Sequence, residues 1–242
     1  MSLPSADLIH RVVAATWPAA SVREVGPWRI RDGRGGGSRV SAATAEGPVT
    51  AADLPAAEAG MRDLGQVPLV MVRDGEEALD GMLDAAGYRV MDPVTGYAAP
   101  VDAVARVAPP VTVFTVWPPL AAQAEIWAEG GIGPARLAVM DRAAEPKVTL
   151  FGRLDDTPAG TVYAGIAEGI VMQHALEIDP RFRRRGLAAT LTRAVAAWGA
   201  ARGATHLALV TTRANIGANA LYSGLGMTPV ARYHYRIKEG TP

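Results

Sequence analysis

The chain of 242 residues contains no cysteine. That single absence removes disulfides, cysteine nucleophiles and thiolate metal sites together. Lysine is almost missing too, with only Lys147 and Lys238 present. Neither follows a Gly-x-x-x-x-Gly, so a Walker-type nucleotide loop is excluded. No excess of either sign exists: 24 Lys+Arg balance 24 Asp+Glu. No long-range field therefore steers the chain to nucleic acid or to a membrane, and neither is expected as a partner. A run of about 18 apolar residues, enough to span a bilayer, is also lacking. Met1 to Trp17 lacks a basic flank followed by an apolar core, so a signal peptide is not expected and a cytoplasmic location is. His206 and His234 have no metal-ligand spacing to a partner; both are read as structural, and no metal is expected.

What is present describes a folded globular protein: 49% hydrophobic and 20% charged residues, too apolar for disorder. Ser5 to Trp17 reads as a capped helix. Trp28–Ile30 and Arg39–Ala42 have strand character, and the string Asp32-Gly33-Arg34-Gly35-Gly36-Gly37-Ser38 between them reads as a flexible hairpin connection. Ala51–Leu64 is helical, Val67–Val72 a buried strand, Gly75–Ala86 a helix and Gly87–Met91 a strand. Val101–Trp117 reads as strand-rich. Leu120–Glu129 is a helix broken by Gly130-Gly131-Ile132-Gly133-Pro134. Short strands are then expected over Leu137–Met140, Lys147–Leu154 and Gly160–Ala167. Further on come a strand at His206–Val210, a helix at Asn215–Leu225 and a terminal strand at Met227–Ile237.

An internal echo runs through this order. Residues 69–90 and 209–230 each read strand, polar loop, helix, glycine stop, strand, which suggests two copies of one α/β unit. The expected division is 1–108 and 109–242.

One stretch has no counterpart in the first half. His174-Ala175-Leu176-Glu177-Ile178-Asp179-Pro180 reads as a buried strand with a proline stop. Arg181-Phe182-Arg183-Arg184-Arg185-Gly186-Leu187-Ala188 then forms a turn that opens a helix. Leu187, Leu191, Val195 and Trp198 give that helix a core-facing stripe. A turn at a helix start offers unpaired N–H groups and the positive end of the helix dipole, which together make an anion site.

Arg183-x-x-Gly186-x-Ala188 resembles the [Gln/Arg]-x-x-Gly-x-[Gly/Ala] motif of the GNAT N-acetyltransferase superfamily. Asn215-x-x-Ala218-x-x-Leu221-Tyr222-x-x-x-Gly226-Met227 resembles the second motif of the same family, at the expected place between two strands. The resemblance covers about Trp117 to Ile237, and the first half resembles the degenerate lobe of tandem members on thinner grounds. It implies an α/β fold with a mixed twisted sheet flanked by helices, in two related lobes, of which the second is catalytic. It implies acetyl-coenzyme A as cofactor and transfer of its acetyl group to a primary amine, in a monomer or homodimer. The backbone at Arg184, Arg185, Gly186, Leu187 and Ala188 would hold the pyrophosphate, with the side chains of the four arginines Arg181, Arg183, Arg184 and Arg185 placed to reach its oxygens. Leu176 and Ile178 would pair with the pantetheine arm, and Asn215 and Asn219 would touch the cofactor or cap the helix. Tyr222 matches the general acid of the family. His174 or Glu177, or a water chain, would be the base. Strand alternation sends these two to opposite faces, so at most one of them is expected to point into the cleft. A non-catalytic acyl-coenzyme A sensor is the rival reading, and Tyr222 argues against it.

Overall fold

The computed structural model describes residues 2–239. The first half runs α1 (Ala6–Thr16), β1 (Ser21–Val25), β2 (Trp28–Asp32), the single turn α2 (Ser38–Ser41), β3 (Thr44–Ala45), α3 (Leu54–Arg62), β4 (Leu69–Arg73), α4 (Glu77–Ala85), β5 (Arg89–Pro100) and the single turn α5 (Val101–Val104). The second half runs β6 (Val113–Val116), α6 (Ala121–Glu129), α7 (Pro134–Arg142), β7 (Lys147–Leu154), β8 (Thr157–Ala167), β9 (Ile170–Ile178), α8 (Leu187–Ala200), β10 (His206–Thr212), α9 (Ile216–Gly224) and β11 (Thr228–Ile237). Local chemistry accounts for the main starts. The Ser5 hydroxyl accepts the Leu8 N–H at the head of α1, and Asn215 Oδ1 accepts the Ala218 N–H at the head of α9 at 3.0 Å. Each satisfies a donor that the helix itself leaves unpaired.

Eight strands form one mixed sheet in the order β4-β11-β5-β10-β9-β8-β7-β6. Every described neighbour pair in it is antiparallel except β9 with β10. Helix α8 covers one face: Leu187, Leu191, Val195 and Trp198 are buried against Val148, Leu150, Val162, Val171 and Leu207. Burying each such side chain contributes about 1.5–3 kcal/mol. Helix α1 covers the opposite face, where Ile9 and Val12 pack on Met172 and Ala208. Helices α6 and α7 lie on that same face, their Trp127 and Met140 clustered with Tyr163 and Trp17. A small sheet, β1-β2-β3, joins the edge of the main one through Ala43, which bridges to β4 at Val70.

The two echoed segments are β4-α4-β5 and β10-α9-β11, and they are interleaved. Strand β11 lies between β4 and β5, and β5 lies between β11 and β10. The order β4-β11-β5-β10 maps onto itself when the copies are exchanged, so each copy fills a gap in the other. An ion-pair cluster fastens the exchange: Arg236 on β11, 8% exposed, bonds Asp80 and Asp84 on α4.

Three stretches differ from their sequence reading. Residues 39–42 are not a strand; Ser38–Ser41 is the helical turn α2. Residues 137–140 lie inside α7, whose N1 position is Pro134, the residue whose fixed φ suits a helix start. Residues 101–117 hold a helical turn and only one short strand. The glycine string is no hairpin either. It is pressed against α7 so closely that a Cβ on Gly36 would stand 2.7 Å from Val139 Cγ2.

Candidate active site

Strands β9 and β10 pair in parallel only from Ile170/His206 to Gln173/Leu209. Beyond that point β9 continues to Ile178 and β10 to Thr212 without touching, and a cleft opens between them. A β-bulge produces the divergence. On β9, three steps separate His174 from Glu177, while their partners on β8, Tyr163 and Thr161, are two apart. The extra residue is Ala175, at φ +50°. Its carbonyl is turned out of the ladder and accepts the Trp127 Nε1–H from α6 at 2.7 Å. Bulges bend the strand that carries them.

The bulge also overturns the alternation argument. His174 and Glu177 share a face, the one toward α1 and α6, because the inserted residue shifts the parity between them. Leu176 and Ile178 face α8 instead and pack on its cluster. The Asp179 N–H donates to Ala159 on β8. Alternation along the ladder therefore aims the Ile178 N–H and carbonyl at the cleft. The carbonyl takes Arg183 Nε at 3.0 Å. The N–H has only a long contact, 3.3 Å, to Glu177 Oε1.

At one end of the cleft stands the arginine turn. Arg184 and Gly186 both lie at positive φ, +63° and +86°; glycine takes the second without strain. Among the described residues, the backbone N–H groups of Arg184, Arg185, Gly186, Leu187 and Ala188 have no acceptor. They stand at the start of a 14-residue helix, an arrangement suited to a multiply charged phosphate. The four arginines have different employment. Arg181 is bound to Asp179 and Arg185 to Asp155. Arg183 bridges Ile178 and Glu177, at 3.0 Å from each. Arg184 pairs with no carboxylate among the described residues. Arg183 and Arg184 line the cleft, while Arg185 is turned away to the β7–β8 connection.

At the other end is Tyr222 on α9. It is 6% exposed, packs against the Tyr97 ring at 5.9 Å between centroids, and receives Gln173 Nε2 at 3.4 Å. Burial pushes its phenol up to about 12, partly offset by Gln173. The phenol thus stays protonated at neutral pH. Asn215 is spent on its cap. Asn219 accepts the Tyr97 hydroxyl at 2.9 Å and donates to the carbonyls of Thr212 and Asn215, which pins α9 to the end of β10. Asn215 lines the cleft and Asn219 supports it from behind.

His174 is 3% exposed and has both ring nitrogens engaged. Arg39 Nη1 donates to Nδ1 at 3.0 Å. The proton therefore sits on Nε2, which donates to Thr16 Oγ1 at 2.8 Å, and the Thr16 hydroxyl passes its own proton to the Val12 carbonyl. Burial, with the Arg39 charge second, holds the imidazole well below its ordinary value. Glu177 is the one carboxylate lining the cleft.

The cleft has a volume of about 820 Å³ and runs from Arg184 and Gly186 past Ile178 to Tyr222 and Arg39. Its sequence and its shape have counterparts. Residues 117–227 match the acetyltransferase (GNAT) family. This part of the chain is thus similar to GNAT acetyltransferase domains. The whole chain is 25% identical to the uncharacterized N-acetyltransferase YobR of Bacillus subtilis, over 95% of this chain and 97% of that one. Two solved structures share the fold. A GCN5-related N-acetyltransferase from Kribbella flavida superposes with a TM-score of 0.66 at 20% identity, over 99% of this chain and 98% of that one. A tandem GNAT protein from the clavulanic acid biosynthesis pathway does so with 0.60 at 14% identity, over 83% and 76%. The GNAT fold is therefore present as an eight-stranded mixed sheet flanked by helices.

Three residues of the site had escaped the sequence reading. Arg39 arrives from the first half on α2 and touches His174. Gln173 sits at the last paired position before the cleft, its Oε1 buried without a partner among the described residues. Trp127 holds the bulge. The glycine string was the visible signal for Arg39, since glycines set down a loop against a neighbour; Gln173 and Trp127 gave none.

Proposed function

We propose that the protein transfers an acetyl group from acetyl-coenzyme A to a primary amine by direct transfer. The carrying observation is the parted pair β9 and β10, with free backbone donors at the α8 end and a protonated phenol at the other. Acetyl-coenzyme A supplies an activated thioester. The chain supplies the rest. The N–H groups of residues 184–188 and the side chains of Arg183 and Arg184 bind the pyrophosphate as charge-assisted hydrogen bonds. The Ile178 N–H and the open edge at Leu176 pair with the amides of the pantetheine arm.

In the transfer, the acceptor nitrogen bonds to the acetyl carbon and the carbon–sulfur bond breaks. The sulfur takes its proton from Tyr222, and the nitrogen loses one to a base. Glu177, acting through water, is the better placed base. The Nδ1 lone pair of His174 is occupied by Arg39 and its Nε2 points at α1, so His174 serves to position Arg39. The residues before 109 wall the acceptor side through Arg39 and complete the sheet through β5. A titration with acetyl-coenzyme A in a calorimeter tests the reading: binding in the micromolar range is expected, and no heat at millimolar ligand ends it.

A further inference from the structure

A second cavity, of about 180 Å³, lies on the far side of the same opening. The two cavities share Arg39 and Ala175, so they join where β9 and β10 part. Arg136 of α7 and Asp92 of β5 also line the smaller one, with Tyr233 of β11. A cavity of roughly 150 Å³ accommodates a benzene-sized molecule, so this one suits a small acceptor.

Its charge is unbalanced. Arg39 gives its hydrogen bond to a neutral imidazole, not to a carboxylate. Among the described residues Arg136 has only the Gly131 carbonyl, at a marginal 3.5 Å. Neither forms an ion pair among the described residues. The two are held near each other by the glycine string: the Arg136 guanidinium lies over Gly37, where a Cβ would meet its Nε and Nη2 at 3.4 Å, and Arg39 follows two residues later. Asp92 is the single acidic residue in the lining. Two guanidinium groups against one carboxylate leave this small concave site with an excess positive charge, which favours an anion that each can grip as a fork. They disfavour polycations by the same Coulomb argument.

We infer that the acceptor is a small amine that also bears an anionic group, a carboxylate or a phosphate, and that Arg39 and Arg136 receive this group while the nitrogen faces the junction at Ala175. This rests on the acetyl-transfer reading. It narrows the acceptor to molecules such as amino acids and phosphorylated amino alcohols, and it makes Arg136 a specificity-determining residue well removed from the cofactor turn.

Paired acceptors test it. Coenzyme A release is followed with 3-aminopropanoate against 3-aminopropanamide, and with phosphoethanolamine against ethanolamine. At least tenfold higher kcat/KM is expected for the anionic member of one pair or both, and which pair responds identifies the anion. Arg136→Gln should collapse the ratio chiefly through KM, without change in acetyl-coenzyme A affinity. Arg136→Lys should restore part of it, which guards against a folding defect. Equal rates within both pairs, preference for the neutral member, or a ratio untouched in Arg136→Gln would overturn the inference while leaving acetyl transfer intact. Absence of acetyl-coenzyme A binding would instead sink the transfer reading itself. Calorimetry with 3-aminopropanoate and its amide, without cofactor, still reads the cavity in that case: preferential binding of the carboxylate supports the anion site and equal or absent binding ends it.

Discussion

Arg39 Nη1 and His174 Nδ1 lie 3.0 Å apart, and the bond between them joins the two halves of the chain at the mouth of the site. The guanidinium can only donate, so the histidine must accept and must stay neutral there. The pair is thus one unit: the imidazole is a fixed acceptor that aims a cation across the opening, and the cation keeps the imidazole unprotonated.

That unit makes acid stability measurable. Both His174 and His10 are held neutral by burial, His10 down to about 4. Below about 6.5 the unfolded chain takes up a proton on each that the folded chain refuses. Stability is therefore full above 6.5 and falls as pH drops from there toward 4. Urea midpoints at pH 7.5, 6 and 5 should decline in that order, and His10→Gln should make the decline shallower. A flat series would contradict the assignment.

Tyr222→Phe keeps the ring packed on Tyr97 and deletes the proton donor. General acids contribute about 10²–10⁴-fold, so kcat should fall by that range with the dissociation constant of acetyl-coenzyme A nearly unchanged. Steady-state rates beside calorimetry give both numbers. Undiminished turnover would remove Tyr222 from the chemistry.

Trp127→Phe keeps an aromatic ring in this fully buried position, though a smaller one, and leaves the Ala175 carbonyl without its donor. An unpaired buried acceptor costs about 1–3 kcal/mol, or roughly 2–12 °C in Tm for a chain of this size. Relaxation of the bulge should also narrow the cleft and weaken acetyl-coenzyme A binding. Scanning calorimetry and a ligand titration on the same sample check both, and an unchanged Tm argues against the bulge being held from α6.

Arg236→Ala removes the centre of the cluster that ties β11 to α4. Breaking a buried ion pair costs about 3–5 kcal/mol; Asp84 is 69% exposed, which places the loss toward the lower end. Arg236 also holds Asp80 down to about 2 by hydrogen bonding, so this contribution is present above the ordinary carboxylate value and disappears as pH falls toward 2. Thermal unfolding of Arg236→Ala, Asp80→Ala and the double variant should show strong coupling; simple additivity would deny it.

Local signals in the sequence carried the arginine-turn end of the cleft. Pro180 stops β9, Gly186 permits the left-handed turn, the stripe from Leu187 to Trp198 turns α8 inward, and Asn215 caps α9. Each acts within a few residues of itself, so each can be read from the chain. The rest depends on partners far away. Ala175 has no property that announces a positive φ; the bulge exists because Trp127, 48 residues earlier, offers a donor. The helical turn bearing Arg39 follows from glycines fitted against Val139, and no periodicity foretells that fit. The interleaving of β5 and β11 is likewise invisible, since either strand could have closed on its own half.

That interleaving governs how the molecule must be made. Strand β11 comes last in chain order, yet its slot is bounded on both sides by strands formed from residues 69–100. A ribosome delivers those early strands long before the piece that belongs between them. Until it arrives, β4 and β5 present unpaired edges, and such edges invite association with other chains. Pairings this distant are slow to form, and domains that fold as they emerge gain no protection here. A chain interrupted shortly before residue 228 would carry the arginine turn, Ile178 and Tyr222 and still have a gap in the sheet between β4 and β5. Synthesis of β11 is thus a structural precondition of the completed sheet.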